Sequence, residues 1–176
     1  ILLFPCLINT HSVTTNIQPV RVTTEFHCAI KVGSAFCGRL LNPVVVERGT
    51  GPIVLGFPHV GTWLPAAVAE QLTPRGAALA DTDWHVDRLY AGLLPTATTV
   101  RATFHRYVID ANRPPDDSSL YPGQHSTGLV PLTDFDGEPI WRTAPGAADV
   151  DARRRAFHAP YHDAMRAELD RVRAAH

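Results

Sequence analysis

Three short clusters of polar residues have the types and spacing that metal-assisted hydrolysis requires. They are PHVG at 58–61, DTDWHVD at 81–87 and RYVIDANRPPDD at 106–117. Histidine and aspartate side chains in the first two clusters suit a zinc ion. The third cluster contains Arg106 and Arg113, and a guanidinium group can grip a carboxylate through two hydrogen bonds. The clusters therefore indicate hydrolysis of a small anionic substrate, although the same residues also fit helix caps and surface ion pairs.

The first cluster lies at a predicted sheet edge. The apolar run 53–57 predicts a buried strand that ends at Pro58, because proline cannot donate a ladder hydrogen bond. Gly61 permits a positive φ in the tight turn that follows, and residues 65–72 predict a helix with proline in its first turn. His59 thus falls where the carboxyl end of a strand meets a helix, which is where open α/β sheets bind ligands.

The other two clusters lie beside further predicted elements. Residues 81–90 predict a second helix with Asp81 or Thr82 as its N-cap. Residues 112–146 are rich in Pro, Gly, Asp and Ser and are too long for a simple connection, which is typical of a binding loop. Further strands are predicted at 43–47, 97–103 and 107–109.

The C-terminal part of the sequence predicts a helix from residue 147 onward, with an apolar stripe typical of a core-facing side. Pro160 kinks this helix or begins a new segment. His158 and His162 are four residues apart and so share a helix face. They could bind a metal ion, but partial burial beside the aromatic stripe is the simpler interpretation.

The composition is that of one ordinary globular domain. The chain has 176 residues, a net charge of -1 and 45% hydrophobic residues, which gives no electrostatic case for nucleic acid or membrane binding. No stretch approaches the ~20 apolar residues that span a bilayer. The three cysteines lack metal-type or disulfide spacing, so we expect a reduced, cytoplasmic protein. Residues 1–43 differ in composition from the rest and are predicted to be a leader that is either weakly ordered or packed irregularly on the domain.

Several motifs in one order resemble the N-formylglutamate amidohydrolase (deformylase) family. They are PIVLGFPHVGTWLPAAV, DTDWHVDRLY, HRYVIDANRPPDDSSLYPGQHSTGL, FDGEPIWR and PYHDAMRAELDRVRA. The resemblance covers residues 52–176 and the N-terminal half of the family's chains, so residues 44–176 would be the N-terminal part of an amidohydrolase domain. It implies a zinc carboxypeptidase-like, three-layer α/β/α fold with a mixed sheet, incomplete at the C-terminus. It also implies release of formate from N-formyl-L-glutamate, a step of histidine degradation.

The resemblance also assigns roles to single residues. His59 corresponds to the first zinc ligand, and the second falls on Asp83 or, as second choice, on His85. The segment from Asp110 to Arg113 is similar to an Asp-x-Asn-Arg segment that holds the substrate carboxylate. The substrate-binding residues implied are Arg113, Asn112, Arg106 and Asp110.

The sequence departs from the family pattern at positions that matter for catalysis. Related zinc hydrolases have glutamate three residues after the first histidine, where this chain has Thr62. The third metal histidine and the general base are expected beyond residue 176, so the chain by itself is predicted to be inactive. It is also predicted to self-associate through an exposed sheet edge. A hydrolase for another N-acyl amino acid and an inactive binding form remain alternatives.

Overall fold

The computed structural model describes residues 42–118 and 127–176. In this part of the chain three short strands form one sheet in the order β1-β3-β2, with β3 antiparallel to β1 and parallel to β2. The strands are β1 (Val44–Glu47), β2 (Val54–Phe57) and β3 (Thr98–Ala102). The predictions at 43–47, 53–57 and 97–103 are therefore confirmed to within one residue. The result is a mixed α/β fold with a small mixed sheet.

Helices pack against both faces of the sheet. Leu55 and Phe57 of β2 point to one face, where the Phe57 ring lies 5.9 Å from that of Tyr90 on helix α3 (Val86–Leu93). Gly56 points to the other face, where an added Cβ would lie 2.6 Å from Met165 Cε of helix α5 (Ala159–Ala175). The helices of the described residues are α1 (Ala66–Ala69), α2 (Pro74–Ala77), α3 (Val86–Leu93), α4 (Ala147–Arg153) and α5 (Ala159–Ala175).

The helix predicted over 81–90 begins later than expected, at Val86. The prediction of Asp81 or Thr82 as its N-cap is therefore wrong, and His85 takes that position with φ 64° and ψ 8°. A left-handed residue other than glycine costs about 1 kcal/mol and cannot continue a right-handed helix. The turns before Val86 are held instead by a long-range bond from the Asp83 N–H to the His59 carbonyl oxygen.

Two other predicted elements differ from the structure. Residues 107–109 form no strand, and their apolar side chains are fully buried in a turn, so continuous burial rather than pairing explains the apolar run. The helix predicted over 65–72 is only α1. It ends early because Leu72 pairs with Trp141 in an isolated β-bridge.

A π-helical segment, Arg154–His158, joins α4 to α5. Its hydrogen bond runs from the Ala159 N–H to the Arg154 carbonyl oxygen, five residues back. Pro160 follows in the first turn of α5 and has no N–H to donate. The wider turn accommodates this missing donor, and the helical backbone continues without a break from α4 through the π-helical segment into α5, which already includes Ala159 before the proline.

The predicted leader, residues 1–43, lies outside the described residues except for its last two positions. None of the helices in the described ranges has the length and hydropathy that crossing a membrane requires.

Candidate active site

His59 lies in the turn that follows β2, and this turn is fastened to the chain just after β3. Trp63 donates its N–H to the Thr103 carbonyl oxygen at 3.1 Å. Gly61 packs on the same backbone, where an added Cβ would lie 2.4 Å from the Phe104 carbonyl oxygen. Its φ is not positive. Gly61 is thus required for close approach of two backbones, and not for the φ that the sequence suggested.

Four side chains form the His59 cluster: His59, Asp83, Arg106 and Asp110. His59 Nε2 lies 2.7 Å from Asp110 Oδ1, and a carboxylate only accepts, so the Nε2–H donates and the neutral ring keeps its lone pair on Nδ1. Nδ1 faces Asp83, whose Oδ2 is 3.7 Å away. His59 and Asp110 are buried, whereas the Asp83 side chain is 32% exposed. The cluster therefore opens to solvent on the Asp83 side.

Residue Asp83 reaches the cluster through its backbone as well. Its N–H donates to the His59 carbonyl oxygen at 3.0 Å. This bond joins the turn after β2 to the turn before α3, so the carboxylate is held beside the imidazole by main-chain geometry.

Arg106 supplies the positive charge of the cluster. Its Nη2 lies 2.8 Å from His59 Nδ1 and 2.6 Å from Nε2, and it donates to Asp110 Oδ2 at 3.2 Å. The Phe135 ring covers the guanidinium at 4.9 Å from its centroid, which is a cation–π contact. The cluster thus already accommodates a cation beside His59 and between two carboxylates.

The pKa values of the cluster follow from these contacts. Burial lowers the pKa of His59, but the interactions with Asp110 and Asp83 outweigh it, and the pKa is raised above its ordinary value. Burial raises the pKa of Asp110, but the hydrogen bond and electrostatic attraction of His59, the charge of Arg106 and the Asn112 N–H together outweigh it and bring the pKa to about 2. The contact with His59 also lowers the pKa of Asp83. Both carboxylates are therefore charged at neutral pH.

The predicted zinc ligands are only partly brought together. His59 and Asp83 face each other, but His85 is exposed at the start of α3, with its ring against Trp84. Within residues 42–118 and 127–176, no three His, Cys, Asp or Glu side chains are grouped closely enough to hold a metal ion. The zinc site stays a prediction, with Asp83 better placed than His85.

The predicted substrate residue Arg113 is half-buried and donates from Nη2 to Thr127 Oγ1 at 3.1 Å. It forms no ion pair within the described part of the chain. The neighbouring Asp116 and Asp117 accept hydrogen bonds from backbone N–H groups instead. Its guanidinium is thus not committed to a carboxylate of those residues.

Sequence reasoning missed the partners of Asp110. The resemblance gave this residue a substrate-binding role, whereas its side chain contacts His59 and Arg106 and accepts the Asn112 N–H at 2.8 Å. The exposed Asn112 is thus tied to the cluster by its backbone. The one signal in the sequence was the four-residue spacing of Arg106 and Asp110, which cannot indicate the contact with a histidine 51 residues away.

His158 and His162 both have backbone carbonyl oxygens as partners of their Nε2 atoms. His158 Nε2 lies 2.8 Å from the Arg113 carbonyl oxygen, and His162 Nε2 lies 2.9 Å from that of Ala111. Because a carbonyl only accepts, both Nε2 atoms carry protons and neither is free for a metal. The simpler interpretation, partly buried histidines, is favoured.

Comparison with known proteins identifies the family. A sequence model of N-formylglutamate amidohydrolases matches residues 51–176. The chain belongs to the N-formylglutamate amidohydrolase family. The chain is 40% identical over 130 residues to the N-formylglutamate deformylase of Pseudomonas putida. It is 42% identical over 131 residues to the N-formylglutamate deformylase of Pseudomonas aeruginosa.

The similarity to these family members covers 72% and 73% of this chain but 48% and 49% of theirs. The chain thus spans about half the length of the curated relatives it matches. The crystal structure of N-formylglutamate amidohydrolase from Ralstonia eutropha JMP134 aligns with a TM-score of 0.61 and 28% identity, over 75% of this chain and 52% of the other. The whole His59 cluster lies inside the region that the amidohydrolase family matches.

Proposed function

We propose that the described residues hold the metal and the substrate for hydrolysis of N-formyl-L-glutamate to formate and L-glutamate, a step of histidine degradation. The observation that supports this most is the His59 cluster, a buried imidazole between two carboxylates within the amidohydrolase region. The relatives from both Pseudomonas species bear the name of this activity.

The proposed cofactor is a zinc ion with His59 Nδ1 and Asp83 as two of its ligands. Two ligands of a tetrahedral zinc ion lie about 3.4 Å apart for bonds of about 2.0–2.2 Å, and these atoms are 3.7 Å apart. Asp110 holds the Nε2 proton, as the outer partner of a zinc-bound histidine usually does. The Arg106 guanidinium, which now contacts His59 Nδ1, would have to move away from this nitrogen before zinc could bind to it. Zinc would supply the Lewis acidity that activates water and polarises the formyl oxygen.

The remaining residues have binding and positioning roles in this proposal. Asp110 orients the His59 ring and keeps its proton away from Nδ1. Arg113, with Asn112 beside it, binds one carboxylate of the substrate through charge-assisted hydrogen bonds. Arg106 is the candidate for the second carboxylate once it leaves His59. No general base is assigned among the described residues.

We also propose that the fold is the three-layer, zinc carboxypeptidase-like α/β/α arrangement with a mixed sheet. The packing of α3 against one face of β2 and of α5 against the other supports it. In such an arrangement the turn after a parallel strand opens at the sheet's ligand-binding edge, where His59 is found.

Binding measurements on the 176-residue chain test the proposal. Calorimetry should find one zinc ion per chain. With zinc present, N-formyl-L-glutamate should bind more tightly than N-acetyl-L-glutamate or N-formyl-L-aspartate. Tighter binding of the acetylated compound would instead indicate a hydrolase for another N-acyl amino acid, and no binding of any of the three would reject the proposed function.

Variants separate the metal site from the substrate site. His59→Gln and Asp83→Asn should weaken zinc binding at least tenfold, because each removes a ligand. His85→Gln is the matched control and should leave zinc affinity unchanged. Arg113→Ala should weaken substrate binding by roughly 1.5–3 kcal/mol without affecting zinc, because it removes a hydrogen bond to a charged group. Unchanged zinc affinity in His59→Gln would refute the assigned metal site.

A further inference from the structure

The backbone between Asp110 and Arg113, the 110–113 segment, joins the His59 cluster to the predicted substrate clamp. At its first residue, the Asp110 carboxylate accepts the hydrogen bond from His59, and at its last residue the Arg113 guanidinium donates to Thr127 and is the proposed clamp for a substrate carboxylate. Any rotation of this backbone would move both groups. The orientation of the segment therefore determines whether the two halves of the site face the same substrate.

Two histidines of the C-terminal helical region hold this segment. His158 donates to the Arg113 carbonyl oxygen and His162 to that of Ala111, so the two accepting carbonyls flank the peptide unit of Asn112. The two rings pack on each other with centroids 4.3 Å apart. Two donors on two carbonyls of one short segment fix its rotation, which a single bond would not do.

The helical region itself is anchored to the strand that leads to His59. Tyr161, between the two histidines in sequence, is buried, and its hydroxyl lies 3.0 Å from where a Cβ of Gly56 would be. The π-helical segment ends at His158, and π-helical turns occur frequently at functional sites. One helix turn thus touches both β2 and the 110–113 segment, and it links the strand bearing His59 to the segment bearing Asp110 and Arg113.

We propose that His158 and His162 are positioning residues that set the orientation of the 110–113 segment, and through it the aim of Asp110 at His59 and of Arg113 at the substrate carboxylate. The part that concerns the substrate rests on the function proposed above. The part that concerns the segment rests only on the two hydrogen bonds and the anchoring of the helix.

A matched pair of substitutions tests the role at His162. Glutamine carries an amide nitrogen at about the reach of Nε2, and asparagine withdraws it by one bond, so His162→Gln keeps the donor and His162→Asn removes it. Hydrogen exchange at the amides of Asn112 and Arg113 should become about tenfold faster in His162→Asn and stay near wild type in His162→Gln. The His158 variants should follow the same pattern, with faster exchange in His158→Asn and exchange near wild type in His158→Gln. His176→Asn serves as the surface control.

Substrate binding by the same variants gives the second measurement. The Kd of N-formyl-L-glutamate should rise about tenfold in His162→Asn and stay near the wild-type value in His162→Gln. The urea midpoints of the two variants should stay close together. Equal exchange in the asparagine and glutamine variants, or exchange unchanged from wild type, would overturn the positioning role. If the wild-type chain binds no N-formyl-L-glutamate, the proposed function fails, whereas faster exchange in the asparagine variant alone still supports the positioning role.

Discussion

At the scale of single residues, the decisive contact is the one between His59 and Asp110. The carboxylate fixes the position of the imidazole proton and leaves the lone pair on the opposite nitrogen, which faces Arg106 and Asp83. The same hydrogen bond also accounts for the opposed pKa directions, since it helps to raise the pKa of His59 and to lower the pKa of Asp110. A single buried carboxylate thus determines both the tautomer and the charge of the site.

Substituting this carboxylate should change the titration of the histidine. Asp110→Asn preserves the shape and still accepts from Nε2, but it removes the negative charge that raises the His59 pKa. We expect the His59 pKa to fall, measured by NMR of the imidazole protons in zinc-free protein. Asp83→Asn should lower it less, and Asp116→Asn, on the surface, not at all. A His59 pKa equal in wild type and Asp110→Asn would contradict the pairing.

At the scale of elements, the turn after β2 depends on how closely two backbones approach. Gly61 has no room for a side chain, because a Cβ would lie 2.5 Å from the Thr103 carbonyl carbon. The bond from Trp63 to Thr103 closes the same contact. The position of His59 is therefore set by the packing of its turn on the chain that follows β3.

A methyl group at this position should separate the two backbones. Gly61→Ala should lower the free energy of unfolding by about 1–3 kcal/mol, the usual cost of overpacking, and should weaken zinc binding as His59 shifts. Urea unfolding measures the first effect. Gly92→Ala is the control, since nothing lies within 4 Å of its added methyl group on α3. It should stabilise the helix by about 0.5–1 kcal/mol.

The attachment of α5 to the sheet gives a second prediction at this scale. Glu168 is buried and accepts from Arg48 Nη2 at 2.8 Å and from Arg171 Nε at 2.5 Å. Burial raises the Glu168 pKa, but the two arginines outweigh it and lower the pKa. A lowered folded-state pKa contributes stability above the unfolded-state value, and this is lost as the pH falls through the folded-state value.

We therefore expect Glu168→Gln to lower the free energy of unfolding by about 1–3 kcal/mol at pH 7. Its stability should also fall less steeply than that of wild type between about pH 5 and pH 3, because the titrating group is absent. Denaturant unfolding across this pH range checks both effects. Glu70→Gln, at an exposed position, should match wild type, and parallel pH profiles for wild type and Glu168→Gln would exclude the role of the ion pairs.

At the scale of the whole molecule, the described residues supply more of the proposed binding site than of a catalytic one. They provide the His59 cluster and an uncommitted Arg113, but within these ranges they group only two side chains for a metal. A catalytic zinc ion has three protein ligands and an open position. Exposed apolar side chains also remain on this part of the chain, namely Trp84, Leu89, Leu93, Leu132 and Phe135.

The 176-residue chain should accordingly lose zinc on dialysis more readily than a site with three ligands, and it should release no formate steadily from N-formyl-L-glutamate. The two ligands proposed among the described residues hold the ion too weakly, and no general base is assigned among these residues, which costs about 10²–10⁴ in rate. A formate assay with added zinc, set against a zinc-free sample, measures this. Sustained zinc-dependent turnover would show that residues outside the described ranges, such as His125, complete the site.

The elements nearest the site show how far local sequence carries a prediction. The apolar run 53–57 predicted the strand β2 to within one residue, because burial imposes a hydrophobic pattern on the residues themselves, and the prediction at 97–103 placed β3. The same reasoning started the 81–90 helix five residues too early and predicted a strand at 107–109 that the structure lacks. A left-handed His85 delays the helix to Val86, and burial on all sides explains the apolar run at 107–109.

The sequence by itself determined the family, the strands and the positions of His59, Asp83 and Arg113, because these depend on motifs and periodicities along the chain. Only the tertiary structure decided that Asp110 holds the imidazole and that His158 and His162 hold the 110–113 segment. These partners lie 45 to 51 residues apart. No local pattern encodes such a contact, because it arises only when the packing of helices on the sheet brings the separate segments within hydrogen-bonding distance.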